Sequence, residues 1–244
     1  MKQPTFNIYV MSYKRSDAIM TQKFFEYCTY VVRADEAELY KANGVKNILA
    51  IPDGEVHDFM STLYWIINNT PEDVIYICDD DVVKFAYRMN DTRMIEIHDG
   101  EPDVTTITAE VERIGQLIYD LDIGYAFDQS SIAPYSYTRE FSFIGMPGHM
   151  RWINKKALKA TYDSKDDAAS DIDMMMQELM FNRICLQPKY FVCRAFMDTN
   201  VRVGEDDRQT HIAFVESMKN KWGRYYEYDF KRNIARIKVD RQHG

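Results

Sequence analysis

The sequence predicts an α/β fold, a single domain with a central, mostly parallel sheet flanked by helices. Three observations lead to this prediction. The first 83 residues alternate strand-like and helix-like segments, which normally build a parallel sheet through right-handed crossovers. With 244 residues and 46% hydrophobic content, the chain can bury one large core. No repeat, low-complexity segment or linker divides it.

The first half of the chain supplies the alternation. β-Rich runs predict strands in FNIYVMSY (6–13), at the start of YVVRADEAELYKANG (30–44), in KNILAIPD (46–53) and in DVIYIC (73–78). Helical spacing predicts a helix over DAIMTQKFFEYC (17–28) and another that Gly44 ends. A third helix is expected after Asp53 as its N-cap, with apolar positions from Val56 to Ile67.

The second half is less regular. Residues 108–121 (TAEVERIGQLIYDL) predict a helix, and residues 123–129 and 140–154 predict strands around a Gly/Pro bend. We expect residues 1–215 to form the main domain, with 1–83 as its first half and 84–215 as its second. Residues 216–244 are expected to be a basic and aromatic extension packed on that domain.

The charge, the cysteine spacing and the apolar runs indicate which classes of protein this sequence does not resemble. The net charge is −8, yet residues 219–244 hold eight Lys or Arg and three acids. The four cysteines have neither disulfide nor zinc spacing. No apolar run approaches the ~20 residues of a membrane span, and the first residues do not resemble a signal peptide. We expect a cytoplasmic protein with no membrane or protein partner.

Three consecutive aspartates, Asp79, Asp80 and Asp81, follow an apolar strand. In open parallel sheets ligands bind beyond the carboxyl ends of the strands, and adjacent carboxylates repel unless a cation or strong donors offset them. In an extended chain, Asp79 and Asp81 point to one side. They could share Mg²⁺ or Mn²⁺, while Asp80 contacts a sugar or ribose hydroxyl. The alternative is a solvated loop.

The segments IYVMSYKRSD, VVRADEAELY, ILAIPDG and IYICDDDV together resemble the Rossmann-like nucleotide-sugar half of a GT-A glycosyltransferase. Within that fold the chain is most similar to the TET/JBP-associated glycosyltransferases, phage enzymes that glycosylate hydroxymethylated pyrimidines in DNA. The resemblance is clearest over residues 6–83 and persists in outline to about residue 215. It implies a metal-dependent transfer of glucose from UDP-glucose to a modified DNA base, in the host cytoplasm if the protein is phage-encoded.

The resemblance also assigns roles to residues. The implied nucleotide contacts are Ser12, Tyr13, Arg15, Arg33, Asp35, Glu36, Asp79, Asp80 and Arg208. The implied metal ligands are Asp79, Asp81 and His211. Three of these have ordinary alternatives, since Arg15 could be a surface turn charge, Glu36 an acid that favours a helix N-terminus, and His211 a structural histidine.

A second acidic cluster lies at residues 164–181 (SKDDAASDIDMMMQELMF). Inverting sugar transfer needs a carboxylate that accepts the proton of the acceptor hydroxyl, and by resemblance Asp171 or Asp173 occupies that place at a helix start. The alternative is structural, because Ser170 and Asp173 match a capping box.

The acceptor side is predicted from two segments. KNKWGRYYEYDFKRN (219–233) interleaves basic and aromatic residues, a composition that suits nucleic acid; Trp222 and Arg224 are the candidate contacts. GMPGHMRW (145–152) contributes His149 and Arg151 at a Gly/Pro bend that could border a flipped base. Alternatively, the C-terminal aromatic residues pack on the core.

Other functions fit the same residues. The transferase could act on a glycan or protein acceptor, which would make the basic extension dispensable. Acidic clusters also hold metals in nucleotidyltransferases and nucleases. A degenerate fold retained for DNA binding would bind nucleic acid without turnover.

Overall fold

A computed structural model of the chain describes residues 3–129, 137–196 and 206–239, without the side chains of residues 99 and 206–208. The strands are β1 (Phe6–Met11), β2 (Thr29–Arg33), β3 (Ile48–Ile51), β4 (Val74–Asp79), β5 (Val82–Arg88), β6 (Met94–Glu96), β7 (His98–Asp99), β8 (Glu101–Pro102), β9 (Tyr125–Gln129), β10 (Phe141–Ser142), β11 (Pro147–Asn154), β12 (Gln187–Pro188), β13 (Phe191–Ala195), β14 (Tyr226–Asp229) and β15 (Ile234–Ile237). The helices are α1 (Ala37–Ala42), α2 (Phe59–Asn69), α3 (Val104–Asp120), α4 (Asp171–Phe181) and α5 (Asp206–Trp222).

The central sheet is mixed but mostly parallel, as predicted. Its order is β3-β2-β1-β4-β11-β9. Strands β1 to β4 pair in parallel, and β11 runs antiparallel to both β4 and β9. The carboxyl ends of β1, β2, β3, β4 and β9 therefore meet the beginning of β11 at one edge of the sheet.

Helices cover both faces of this sheet, because successive strand residues point to opposite sides. On one face Tyr76 and Trp152 pack with the apolar side of α3, including Val111. On the other face Ile77 and Phe127 pack with α2 and α4. The α/β layering predicted from the sequence is confirmed.

Two local predictions are wrong. Residues 17–28 form only a short 3-10 turn at Thr21–Phe24, because the Thr21 hydroxyl donates to the Asp79 carbonyl and accepts from the Val82 amide. Helix α2 begins after Asp58 rather than Asp53. The Asp58 carboxylate accepts from the Ser61 amide at 2.6 Å in a capping box.

Smaller elements flank the main sheet. Strands β13, β5 and β6 form an antiparallel sheet beside it, and β14 and β15 form a hairpin after α5. The boundary predicted between residues 215 and 216 falls inside α5. Within the residues described, no helix has both the length and the apolar character needed to cross a membrane.

Candidate active site

A cleft of about 1240 Å³ opens at the carboxyl edge of the central sheet. The ends of β1, β2, β3 and β4 and the start of β11 contribute to its lining. Among the lining residues are Ser12, Tyr13, Arg15, Arg33, Phe59, Asp79, Asp80, Asp81, Gly148, His149, Arg151, Ser170 and Asp171. The fold thus brings most of the predicted site residues into one cavity.

Asp79 is the last residue of β4, and β11 supplies its partners. Arg151 donates to its Oδ1 at 3.3 Å, and the Nδ1 of His149 lies 3.1 Å from its Oδ2. Burial opposes ionisation, but the charge of Arg151 and the hydrogen bond from His149 outweigh it and lower the Asp79 pKa. The same hydrogen bond raises the pKa of His149. Asp79 is therefore held as a carboxylate.

Asp80 and Asp81 form the turn between β4 and β5. The Nη1 of Arg15 donates to Oδ1 of Asp80 at 2.8 Å and to Oδ2 of Asp81 at 3.1 Å. The Ser12 hydroxyl donates to Asp80 at 2.5 Å. Burial raises the pKa of Asp80, against the hydrogen bond of Ser12 and the charge of Arg15.

Asp79 and Asp81 both line the cleft but have different protein partners. Strand alternation applies only while the backbone is extended, and the chain turns immediately after Asp79. In the structure Asp80 and Asp81 share a cation, Arg15, whereas Asp79 faces β11.

The carboxylates of the cleft suit a hard cation only if a bound substrate supplies further oxygen ligands. Across the described ranges, no three His, Cys, Asp or Glu side chains are grouped so that they could hold a metal ion. Mg²⁺ is typically held by one or two carboxylates and completed by substrate phosphates and water. The carboxylates of Asp79 and Asp81 in the cleft fit that type of site.

The residues predicted to contact the nucleotide after β1 lie close to those predicted after β2, except for Asp35. The Arg33 guanidinium lies 4.1 Å from the centre of the Tyr13 ring and donates to its hydroxyl at 3.3 Å. The Glu36 carboxylate accepts from the Lys14 amide. Asp35 is exposed on a 3-10 turn outside the cleft lining. Tyr13 and Arg33 form a flat cationic surface suited to a planar ring.

Asp171 and Asp173 begin α4 but have different surroundings. Asp171 lines the cleft, and burial raises its pKa despite the nearby charge of Arg151. Asp173 is 3% exposed. It accepts hydrogen bonds from Trp222, Lys221 and Gln177, each at 2.8 to 2.9 Å.

Solved structures provide the comparison for this arrangement. A mannosyltransferase from Pyrobaculum calidifontis, in complex with GDP-mannose and Mn²⁺, superposes with a TM-score of 0.54 at 12% identity, covering 89% of this chain and 72% of the other. Glucosyl-3-phosphoglycerate synthase from Mycobacterium tuberculosis, with Mn²⁺, UDP-glucose and phosphoglyceric acid, gives 0.51 at 10% identity, covering 96% and 89%. The chain has the GT-A glycosyltransferase fold.

Sequence comparisons add no family to this fold. No protein-family model matches the chain, and no curated protein matches it. The GT-A fold is therefore established by structure, whereas the narrower TET/JBP-associated family stays a prediction.

His211, predicted as a metal ligand, does not line the cleft. His211, on α5, contacts the Tyr228 hydroxyl through Nε2 at 2.9 Å and packs edge-on against Phe230. It lines a separate cavity of about 470 Å³ with Ile212, Phe230 and Asn233. Arg208 is also on α5, and its side chain lies outside the described residues.

The two C-terminal residues predicted to contact the acceptor differ in exposure. Trp222 is partly buried against the core, and its Nε1 donates to Asp173. Arg224 is exposed and lies over the ring of Tyr225, 5.0 Å from its centre. Trp222 therefore packs on the core, as the structural alternative expects, and its Nε1 also anchors α5 to α4, whereas Arg224 is accessible.

Sequence reasoning missed Asp128, the penultimate residue of β9, which lies against Gly148 of the cleft lining. It is fully buried, and its Oδ1 accepts from the Met150 amide at 2.9 Å. Its Oδ2 has no hydrogen-bond partner, and burial raises its pKa to about 7. A Cβ on Gly148 would lie 2.3 Å from this carboxylate, so only glycine fits there. An acid at the end of a predicted strand was the available signal.

Proposed function

We propose that this protein is a metal-dependent glycosyltransferase that transfers glucose from UDP-glucose to the hydroxyl of a 5-hydroxymethylpyrimidine in DNA. The observation that carries the proposal is the acidic turn after β4, Asp79 to Asp81, opening into the cleft of a GT-A fold. The similar solved structures hold Mn²⁺ with GDP-mannose or UDP-glucose. That likeness supports a nucleotide-sugar donor for this chain.

The donor nucleotide would bind between the ends of β1 and β2. The Tyr13 ring, already in contact with the Arg33 guanidinium, offers a face on which uracil can stack. Ser12 and Arg15, close to Tyr13 in the sequence, both contact Asp80 of the acidic turn. The diphosphate would therefore extend from the Tyr13 surface towards the three aspartates.

Asp79 and Asp81 are the residues that would hold the metal. A bound divalent cation offsets the charge that develops on the departing diphosphate. Arg151 and His149 hold the Asp79 carboxylate in position from β11. We therefore assign these two residues to orienting Asp79, in addition to their predicted place on the acceptor side.

Asp171 is the stronger candidate for the general base. It lines the cleft, and its raised pKa makes it a better proton acceptor than an ordinary surface aspartate. It would accept the proton from the acceptor hydroxyl as the oxygen attacks the sugar. Asp173, with hydrogen bonds from Trp222, Lys221 and Gln177, is occupied in holding α4 and α5 together.

The C-terminal extension supports a nucleic-acid acceptor. It adjoins α4, whose first residue lines the cleft, through Trp222 and Lys221. Lys219 lies 5.5 Å from the centre of the exposed Phe230 ring, and Arg224 lies over Tyr225. Basic side chains beside exposed rings suit phosphate and unpaired bases. The extension would thus guide DNA towards the cleft.

Product formation tests the proposal directly. The protein is incubated with a panel of nucleotide sugars and Mn²⁺ or Mg²⁺, with and without hydroxymethylated DNA, and the released nucleotide and DNA mass are measured. We expect metal-dependent release that this DNA stimulates, and a hexose mass added to the DNA. Donor hydrolysis that DNA does not stimulate would support a transferase but exclude DNA as its acceptor, in favour of a glycan or protein. Nucleotide added to DNA, or no release at all, would overturn the proposal.

A further inference from the structure

Arg15 bridges two carboxylates of the acidic turn. A single nitrogen, Nη1, reaches both Asp80, at 2.8 Å, and Asp81, at 3.1 Å. The backbone also fixes this residue, because the Arg15 amide donates to the Tyr40 hydroxyl at 3.0 Å. That hydroxyl lies 2.7 Å from the Ser12 Oγ, which donates to Asp80. The guanidinium therefore contacts Asp81, one of the two carboxylates proposed to hold the cation, and its neighbour Asp80.

The other arginine of the cleft is held differently. The Arg151 side chain is 4% exposed, donates to the Gly148 carbonyl and lies 4.7 Å from the centre of the Phe59 ring. The Arg15 side chain is 20% exposed and lines the open cleft. Arg15 can turn towards a ligand, whereas Arg151 is enclosed by its surroundings.

We propose that Arg15 is an internal competitor of the divalent cation, so that the cation binds tightly only together with a nucleotide diphosphate. This inference rests on the proposed function for the identity of that ligand. A cation that binds Asp81 without a second ligand must displace Arg15 from that carboxylate and weaken the contacts of a partly buried guanidinium with the acidic turn. Both changes disfavour binding.

A diphosphate removes that obstacle. It supplies a new anion for Arg15 and further oxygens for the cation. Arg15 then leaves the acidic turn as the cation enters it. Because binding free energies are reciprocal, nucleotide must tighten cation binding by the same factor as the cation tightens nucleotide binding.

Binding of Mn²⁺ to the protein without donor or acceptor tests the competition. Free Mn²⁺ is measured by electron paramagnetic resonance during titration of wild type, Arg15→Gln, Arg15→Lys and Arg33→Gln. Arg33→Gln is the matched control, because it removes the same charge from the same cleft at a residue that contacts Tyr13. We expect Arg15→Gln to bind Mn²⁺ about tenfold more tightly than wild type, with Arg15→Lys and Arg33→Gln close to wild type.

A second titration in the presence of UDP measures the coupling. We expect UDP to tighten Mn²⁺ binding in wild type by a larger factor than in Arg15→Gln. If Arg15→Gln and Arg33→Gln tighten Mn²⁺ binding without UDP by the same factor, the effect comes from net charge and the inference is overturned. Unchanged or weaker Mn²⁺ binding in Arg15→Gln would also overturn it. If wild type transfers no sugar but Arg15→Gln still binds Mn²⁺ more tightly than wild type, the proposed function is rejected and the competition by Arg15 is retained.

Discussion

At the residue scale, surroundings separate the aspartates of the cleft by role. Asp79 is paired with Arg151 and His149, which keep it ionised. Asp171 faces the cleft with a raised pKa. Asp173 is enclosed by donors. Residues of one type thus become a candidate ligand, a candidate base and an anchor, because a carboxylate responds to burial and to nearby charge.

Asp81→Ala is expected to abolish sugar transfer while the fold is retained. Loss of a cation ligand removes several kcal/mol of transition-state stabilisation, and about 1.4 kcal/mol corresponds to tenfold in rate. Single-turnover rates and circular dichroism measure the two properties. Asp122→Asn is the control, because the Asp122 side chain is 74% exposed outside the cleft and asparagine tolerates its positive φ of 52°. Retained turnover in Asp81→Ala would exclude this residue as a ligand.

Asp171→Asn is expected to lower kcat by about 10² to 10⁴ with little change in donor KM, as general base removal does. The comparison is Asp173→Asn, which should weaken the contacts between α4 and α5 and lower stability first. Steady-state kinetics and thermal unfolding of both variants distinguish the roles. If Asp173→Asn folds stably and loses more kcat than Asp171→Asn, Asp173 is the general base instead of Asp171.

Asp128 predicts a pH dependence of stability. The pKa of native Asp128 is raised to about 7, whereas an unfolded aspartate titrates near ~3.9. Between these values the native state binds the additional proton, so this group's stabilisation is lost as pH rises through 7. Asp128→Asn should be more stable than wild type at about pH 8, with a shallower slope from about pH 5. Parallel urea-unfolding free energies over this range would contradict the prediction.

At the scale of elements, α4 and α5 are joined around Asp173. Lys221 lies 2.8 Å from one of its oxygens and also pairs with Asp166. Trp222 donates to the same carboxylate. The start of α4, which places Asp171 in the cleft, is thus fixed by the end of α5. The C-terminal extension is therefore physically connected to the candidate base.

Trp222→Phe tests this connection because it retains an aromatic ring and removes the Nε1 donor. Loss of one hydrogen bond to a buried carboxylate should destabilise the protein by about 1 to 3 kcal/mol. Amide hydrogen exchange should rise in α5 and in the first turn of α4. Tyr225→Phe, a change at an exposed C-terminal ring, should leave exchange in α4 unchanged. Similar exchange in both variants would argue against the anchor.

The sequence predicted elements better than their ends. Strands β1 to β4 and helix α3 follow from apolar periodicity, which depends on neighbouring residues. The predicted helix over residues 17–28 failed because Thr21 forms hydrogen bonds with β4 and β5. The N-cap of α2 moved to Asp58 because Ser61 completes a capping box there. Such competing contacts are absent from local patterns.

At the scale of the whole molecule, charge is divided between a generally acidic protein and a basic C-terminal extension. An acidic surface repels DNA, so the proposed acceptor needs the extension to provide attraction. Trp222 places this extension next to α4, whose first residue lines the cleft. Donor and acceptor would thus approach the aspartates from different parts of the chain.

DNA binding should therefore depend on salt through the extension. Replacing Lys219, Arg224 and Lys231 with Gln is expected to weaken binding and to reduce the slope of log K against log salt by about 0.9 for each lost phosphate contact. The control replaces Lys41, Lys46 and Lys156, which are exposed elsewhere. Fluorescence anisotropy with a hydroxymethylated duplex measures both slopes. Equal slopes in the two triple variants would favour a glycan or protein acceptor.

The sequence by itself determined the α/β alternation, the acidic turn after β4 and the basic composition of the extension, because these depend on adjacent residues. The tertiary structure decided which partners those residues have. It placed Arg15 on Asp80 and Asp81, Trp222 on Asp173, and His211 beside Tyr228 rather than in the cleft. It also showed that Asp128 is a buried acid. Charge and burial act through space, so residues distant in sequence set the chemistry of each carboxylate.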